Sequence, residues 1–95
     1  MLARRFERDS EVVVRAKERA GYRCEVPDCA HPTFETVDGL PYMEVHHIKP
    51  LAEGGLDTAE NVECICPAHH REVHRGRRTK AIRAALIRRR AAELR

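Results

Sequence analysis

The chain has no tryptophan and only two tyrosines and two phenylalanines, which excludes a core built on large aromatic side chains. Long apolar runs are missing too: nothing approaches the roughly 20 residues that a membrane span requires. The opening residues, MLARRFERDS, lack the apolar stretch of a secretory signal. A cytoplasmic protein with no membrane partner is therefore expected. With 42% hydrophobic residues among 95, one domain can bury only a modest core, and domains of this size commonly need a staple. Four cysteines and six histidines are available for one. In a cytoplasmic chain, metal ligation is the expected use of cysteine, ahead of a disulfide or of buried free thiols.

Net charge is +3, but it is unevenly spread. From Arg71 to Arg95 there are ten Lys or Arg and two Glu, whereas residues 1–70 carry eight basic and thirteen acidic residues. A segment so basic is drawn to a polyanion, nucleic acid being the usual one. The competing explanation is a plain solvated helix face, and charge alone does not separate the two.

Asp9 or Ser10 can cap a helix through EVVVRAKERA, with Gly21 placed for a left-handed C-terminal residue. GYRCEVPDCAHPTFETVDGLP is rich in turn formers and reads as an irregular loop with a hairpin-like turn at Asp38-Gly39. YMEVHHI has the composition of a strand, closed by Pro50. After Gly54-Gly55, Asp57 and Glu60 have the spacing of a capping box and predict one helical turn. VECIC is a second short strand, and Pro67 suits the first position of a helix through AHHREVH. Past Gly76, TKAIRAALIRRRAAELR has Ile82, Leu86 and Leu94 roughly along one face of a basic amphipathic helix. No repeat or domain linker interrupts residues 1–95, so the pattern is a single small α+β domain.

Two chelating pairs stand out: Cys24 with Cys29 around a tight turn, and Cys66 with His69. Two such pairs separated by a loop build a tetrahedral zinc site, here of Cys3His type. Cys64 can replace His69, because residues two apart in a strand share a face; His69 is preferred for its place on the first turn of the helix after Cys66. On that helix His70 and His74 share one face while His69 points elsewhere. Joined by His46, they make a three-histidine site with open positions, the pattern of a catalytic metal. Adjacent strand residues point apart, so His47 is free to act as a base while His46 binds metal. Two adjacent histidines alone would more often be a surface pair.

EVHHIKPLAEGGLDTAENVECICPAHHREVH, read with the knuckle before it, resembles the HNH endonucleases of the McrA-like branch, which carry a structural zinc. The resemblance covers about residues 22–76, leaving a basic C-terminal helix at about 77–95. It implies a ββα-metal fold flanked by N- and C-terminal helices. It also implies His46 and His70 as ligands of a catalytic Mg²⁺, Mn²⁺, Ni²⁺ or Zn²⁺, His74 as a third ligand or a phosphate contact, His47 as general base, and Asn61 as the residue that holds the loop and orients the base. Glu44 shares a strand face with His46 and could support the site, but is expected to be a solvent-facing strand residue. Two departures from the family pattern, the stretched C-x4-C knuckle and His69 in place of a second Cys, touch only the zinc. The implied activity is metal-dependent hydrolysis of DNA, with Arg71, Arg75, Arg77 and Arg78 contacting phosphates, as the nuclease module of a restriction system, modification-dependent in many relatives, or as a phage-packaging nuclease or a free-standing nickase. The alternative is a non-catalytic, zinc-stabilised DNA-binding module, which would have no use for His47.

Overall fold

Val12, Val13 and Ala16 fall on one side of the first helix, α1 (Ser10–Ala20), and that side packs on a small sheet. The computed structural model describes residues 10–93. After α1 come strand β1 (Glu44–His47), strand β2 (Val62–Ile65), helix α2 (Pro67–Arg75) and helix α3 (Thr79–Glu93). Short 3-10 turns at Leu51–Glu53 and Ala59–Asn61 lie in the β1–β2 connection. The expected cap at Asp9 lies outside the described residues. At its other end α1 closes with Gly21 and Tyr22 both in the left-handed region, φ +66° and +57°, and the Tyr22 amide donates to Lys17 O at 2.9 Å.

The strands pair antiparallel, with Val45 opposite Cys64, His46 opposite Glu63 and His47 opposite Val62. Directly opposed residues share a face. Val45, His47, Val62 and Cys64 therefore occupy one side of the sheet, and Glu44, His46, Glu63 and Ile65 the other. On the first side, Val45 and Val62 bury against Ala16 of α1. On the second, Ile65 packs with Val73 of α2 and with Ile82 and Leu86 of α3. A third cluster of Met43, Cys64 and Cys66 meets Ala20, Cys24 and Cys29. Three small clusters replace the single large core that aromatic residues would have allowed.

The loop between α1 and β1 is irregular, as expected, with a tight turn at Asp38-Gly39 in which the Thr36 amide donates to Leu40 O at 2.8 Å. Three expectations need correction. The capping box does not form: Thr58 occupies the N-cap of the Ala59–Asn61 turn without a side-chain hydrogen bond, and the Asp57 carboxylate is engaged with His47 instead. Glu44 is not a solvent-facing strand residue, because His70 of α2 lies across it. The far end of α3 is not a plain basic face. Arg90 continues the buried stripe of Ile82 and Leu86 at the next i+4 step and is only 6% exposed. Its Nε donates to Glu63 Oε2 at 3.0 Å, and its guanidinium also contacts Glu93 and lies 3.6 Å from Glu25. Leu94 lies outside the described residues.

Candidate metal centre and active site

The Cys24–Cys29 turn is held to the sheet by its own backbone: the Glu25 amide donates to Cys64 O at 2.8 Å, and the Glu25 carboxylate accepts the Cys64 amide at 2.9 Å. Opposite it, Cys66 caps α2, its sulfur accepting the His69 amide at 3.4 Å. The helix start thus presents Cys66 and His69 to the knuckle. Cys24 Sγ and Cys66 Sγ each lie 3.5 Å from His69 Nδ1, and Cys29 Sγ lies 3.8 Å from Cys66 Sγ. A tetrahedral zinc with bonds of about 2.3 Å to sulfur and about 2.0–2.1 Å to nitrogen requires edges of about 3.8 Å between sulfurs and about 3.6 Å between sulfur and nitrogen. The donors fit. Burial pushes the Cys24 thiol up to about 12 and raises Cys66 as well, so thiolates there need a cation beside them. Cys64 lies outside this group of four; its thiol is fully buried and likewise pushed up to about 12 by burial. His31 adds an unforeseen neighbour, its ring edge-on to His69 with centroids 4.6 Å apart.

On the other side of α2, His70 and His74 face His46 across from β1, with one nitrogen of each of the three within 4.8 Å of the others. His46 is buried and its Nε2 has no hydrogen-bond partner among the described residues. A buried imidazole nitrogen left unpaired costs free energy, which a cation would recover. Burial, then the neighbouring imidazoles of His70 and His74, then Arg83, hold the His46 pKa down at about 3. His74 is lowered by burial and by His70 and Arg83. Both are therefore neutral near pH 7, the form that binds metal. His70 Nδ1 lies 2.6 Å from Glu44 Oε1, and Tyr42 OH donates to Glu44 Oε2 at 2.9 Å. Burial alone would raise the Glu44 carboxyl; the bonds from His70 and Tyr42 outweigh it and hold the group below its ordinary range. With Nδ1–H donated to a carboxylate, the His70 Nε2 lone pair is oriented for a metal, an arrangement common around histidine ligands.

His46, His47, His70 and His74 line one cleft together with Pro50 and Leu51. His47 turns from the trio toward the β1–β2 connection, where its Nε2 lies 2.8 Å from Asp57 Oδ1. Asn61 fixes that connection. Its Oδ1 accepts the Lys49 amide at 2.9 Å, and its Nδ2 donates to Lys49 O at 3.0 Å and Leu56 O at 2.8 Å. Gly55 is required here, since a Cβ would stand 1.9 Å from Lys49 O. Arg71, Arg75 and Arg77 are exposed on and just after α2. Arg78 is exposed too, but its guanidinium already makes two hydrogen bonds to Glu72, at 2.9 and 3.0 Å.

The HNH endonuclease family model matches residues 24–76, which span both donor groups, His47 and Asn61. The chain belongs to the HNH endonuclease family. Within it, this HNH chain is 47% identical over 49 residues to the Type IV methyl-directed restriction enzyme EcoKMcrA of Escherichia coli (strain K12), a match covering 52% of this chain and 18% of that protein. It is similar in structure to the Type IV phosphorothioation-dependent restriction endonuclease ScoMcrA, with TM-score 0.76 and 34% identity, over 90% of this chain and 17% of the other. The modification-dependent TagI restriction endonuclease aligns with TM-score 0.59 and 34% identity, over 73% and 24% respectively. The HNH chain thus spans less than a quarter of the length of each of these relatives. Among its described residues no helix is long and apolar enough to cross a membrane.

Sequence reasoning missed Asp57, which looked like a helix cap, and Arg83, which looked like one more surface cation yet donates to Ile48 O at 3.3 Å beside the histidines.

Proposed function

We propose that this HNH domain hydrolyses DNA phosphodiesters as the nuclease module of a modification-dependent restriction system. The observation that carries the reading is a cleft in which three imidazoles converge while a fourth, His47, stands beside them with its own carboxylate partner. His46, His70 and His74 would hold a divalent ion, which supplies Lewis-acid stabilisation of the charge on the leaving 3′ oxygen. Mg²⁺, Mn²⁺, Ni²⁺ and Zn²⁺ all suit the role, since three imidazoles select weakly among them. His47 takes a proton from water, whose oxygen attacks phosphorus as the 3′ oxygen departs. Asn61 keeps the connection behind His47 in one conformation, and Glu44 holds the His70 ring. Arg71, Arg75 and Arg77 contact the phosphate backbone; Arg78 would join them by giving up Glu72. Cys24, Cys29, Cys66 and His69 hold a structural zinc. The restriction role is supported by the three relatives, each a restriction enzyme directed by or dependent on a modification.

Plasmid cleavage by two variants tests the reading. His47→Ala is expected to keep metal and DNA binding and to lose about 10²- to 10⁴-fold in rate at any metal concentration. His46→Ala is expected to weaken metal binding, so that raising the metal concentration restores part of the rate. Cleavage by His47→Ala at the wild-type rate would leave the zinc-stabilised DNA-binding module as the better description.

A further inference from the structure

Asp57 lies ten residues beyond His47 in the connection between the two strands. Its sequence position, three before Glu60, suits a helix cap, yet the short turn that follows starts at Thr58 with no side-chain cap. The carboxylate instead meets His47, Nε2 to Oδ1 at 2.8 Å, with the His47 side chain 10% and the Asp57 side chain 26% exposed. The segment bearing Asp57 is built to stay in place. Leu56, its neighbour, is bonded by Asn61 Nδ2, and the Ile48 amide, next to His47, donates to Asn61 O at 2.8 Å. Gly54 takes a left-handed φ of +92° and Gly55 admits no side chain, so the chain makes its turn within a space that fixes where Asp57 emerges. Both ends of the His47–Asp57 contact are therefore tied to the same short frame.

We propose that Asp57 is a positioning residue for the nuclease reaction: its carboxylate accepts the His47 Nε2–H and leaves the lone pair on Nδ1, the atom that removes the proton from water. The inference rests on the reading of His47 as the base. The proton passes from water to Nδ1, the water oxygen bonds to phosphorus, and the bond to the 3′ oxygen breaks. As the proton arrives, the ring becomes an imidazolium, and a carboxylate at hydrogen-bond distance on its far nitrogen stabilises that charge and prevents the ring from flipping. A carboxylate does both; an amide of the same shape does neither well, because its NH2 can present a donor to Nε2 and favour the opposite tautomer.

The experiment uses the zinc-loaded chain, supercoiled plasmid and Mn²⁺, and compares wild type, Asp57→Asn, Asp57→Glu, His47→Ala and the His47→Ala/Asp57→Asn double variant. Asp57→Asn is expected to lower kcat by about tenfold or more while KM for plasmid, Mn²⁺ dependence and thermal melting stay near wild type. Asp57→Glu, which keeps the carboxylate, should recover part of the rate. In the His47→Ala background Asp57→Asn should change nothing further, because Asp57 acts through that ring. Wild-type kcat for Asp57→Asn, or the same proportional loss with and without His47, would overturn the inference while the slow cleavage of His47→Ala left the base assignment standing. Wild-type cleavage by His47→Ala would overturn the base assignment and this inference with it.

Discussion

Helix α2 serves two donor clusters from its two sides, and the clusters differ in how they are closed. Around Cys66 and His69 there are four donors at tetrahedral spacing, two of them fully or nearly fully buried, with the knuckle folded over them. Around His70 and His74 there are three donors graded from buried His46 through half-buried His70 to exposed His74, along an open cleft. A closed tetrahedral set holds a metal for structure, whereas three donors with an open side leave room for water or substrate. One residue of offset along a helix, about 100°, separates the two uses.

The contrast is broken most sharply by folding measurements. Structural zinc contributes about 10–16 kcal/mol of apparent binding free energy, whereas a domain's net stability is only about 5–15 kcal/mol. Cys66→Ser should therefore unfold the chain, as judged by loss of far-ultraviolet dichroism and of one equivalent of zinc on dialysis. His70→Ala removes a donor from the open cluster and should leave both signals near wild type while plasmid cleavage falls. A folded, zinc-free Cys66→Ser protein would show that the three apolar clusters suffice without the metal.

How much of this was legible in the sequence depended on distance along the chain. Spacings within one turn of helix or one knuckle reported the donors, because Cys66, His69, His70 and His74 are arranged by local geometry alone. The Ile82 and Leu86 stripe was legible for the same reason. Partners brought together by the fold were not. Glu44 meets His70 across 26 residues, Arg90 meets Glu63 across 27, and Asp57 meets His47 around a turn, each by a pairing that no local period encodes. Arg90 is the instructive case: its i+4 relation to Leu86 placed it on the buried face, but its charge argued for solvent, and Glu63 opposite it reversed the argument.

The open cluster can be sharpened further through its surroundings. If phosphate enters on that side, the exposed cations of α2 and its C-terminal turn govern DNA binding, and those at the knuckle do not. Replacing Arg71, Arg75 and Arg77 by Ala should weaken binding and reduce the slope of log affinity against log salt by about 0.9 for each phosphate no longer neutralised. Arg23→Ala, beside Cys24 on the closed side, should leave the slope unchanged. Equal slopes for the triple variant and wild type would return these arginines to a solvated face.

The smallest effect expected concerns what the His46 face of the sheet buries. Glu63, directly opposite His46, is fully buried, and burial together with the neighbouring Glu25 carboxylate pushes its pKa up to about 8 against the pull of Arg90 and Arg19. Glu25 shifts the other way: burial alone would raise it, but Glu63, the Cys64 amide and the two arginines hold it low. A carboxyl whose folded value lies above its unfolded one stabilises most below the unfolded value, and that contribution disappears as pH rises through about 8. Glu25 stays ionised from pH 7 to 9 and adds no slope there. Glu63→Gln mimics the neutral carboxyl and carries no such slope, so its melting temperature should gain on wild type as pH rises from 7 to 9. Wild type loses about 1.4 kcal/mol per pH unit between the unfolded and folded values and levels off above about 8, so the gap should widen by about 1.4 kcal/mol from pH 7 to 9, at about 4–8 °C per kcal/mol for a domain of this size. The difference between the two proteins isolates Glu63 from the other titrating groups, which are the same in both. A gap that stays constant from pH 7 to 9 would mean that Arg90 holds Glu63 ionised throughout, and that this face of the sheet carries a permanent buried ion pair behind His46.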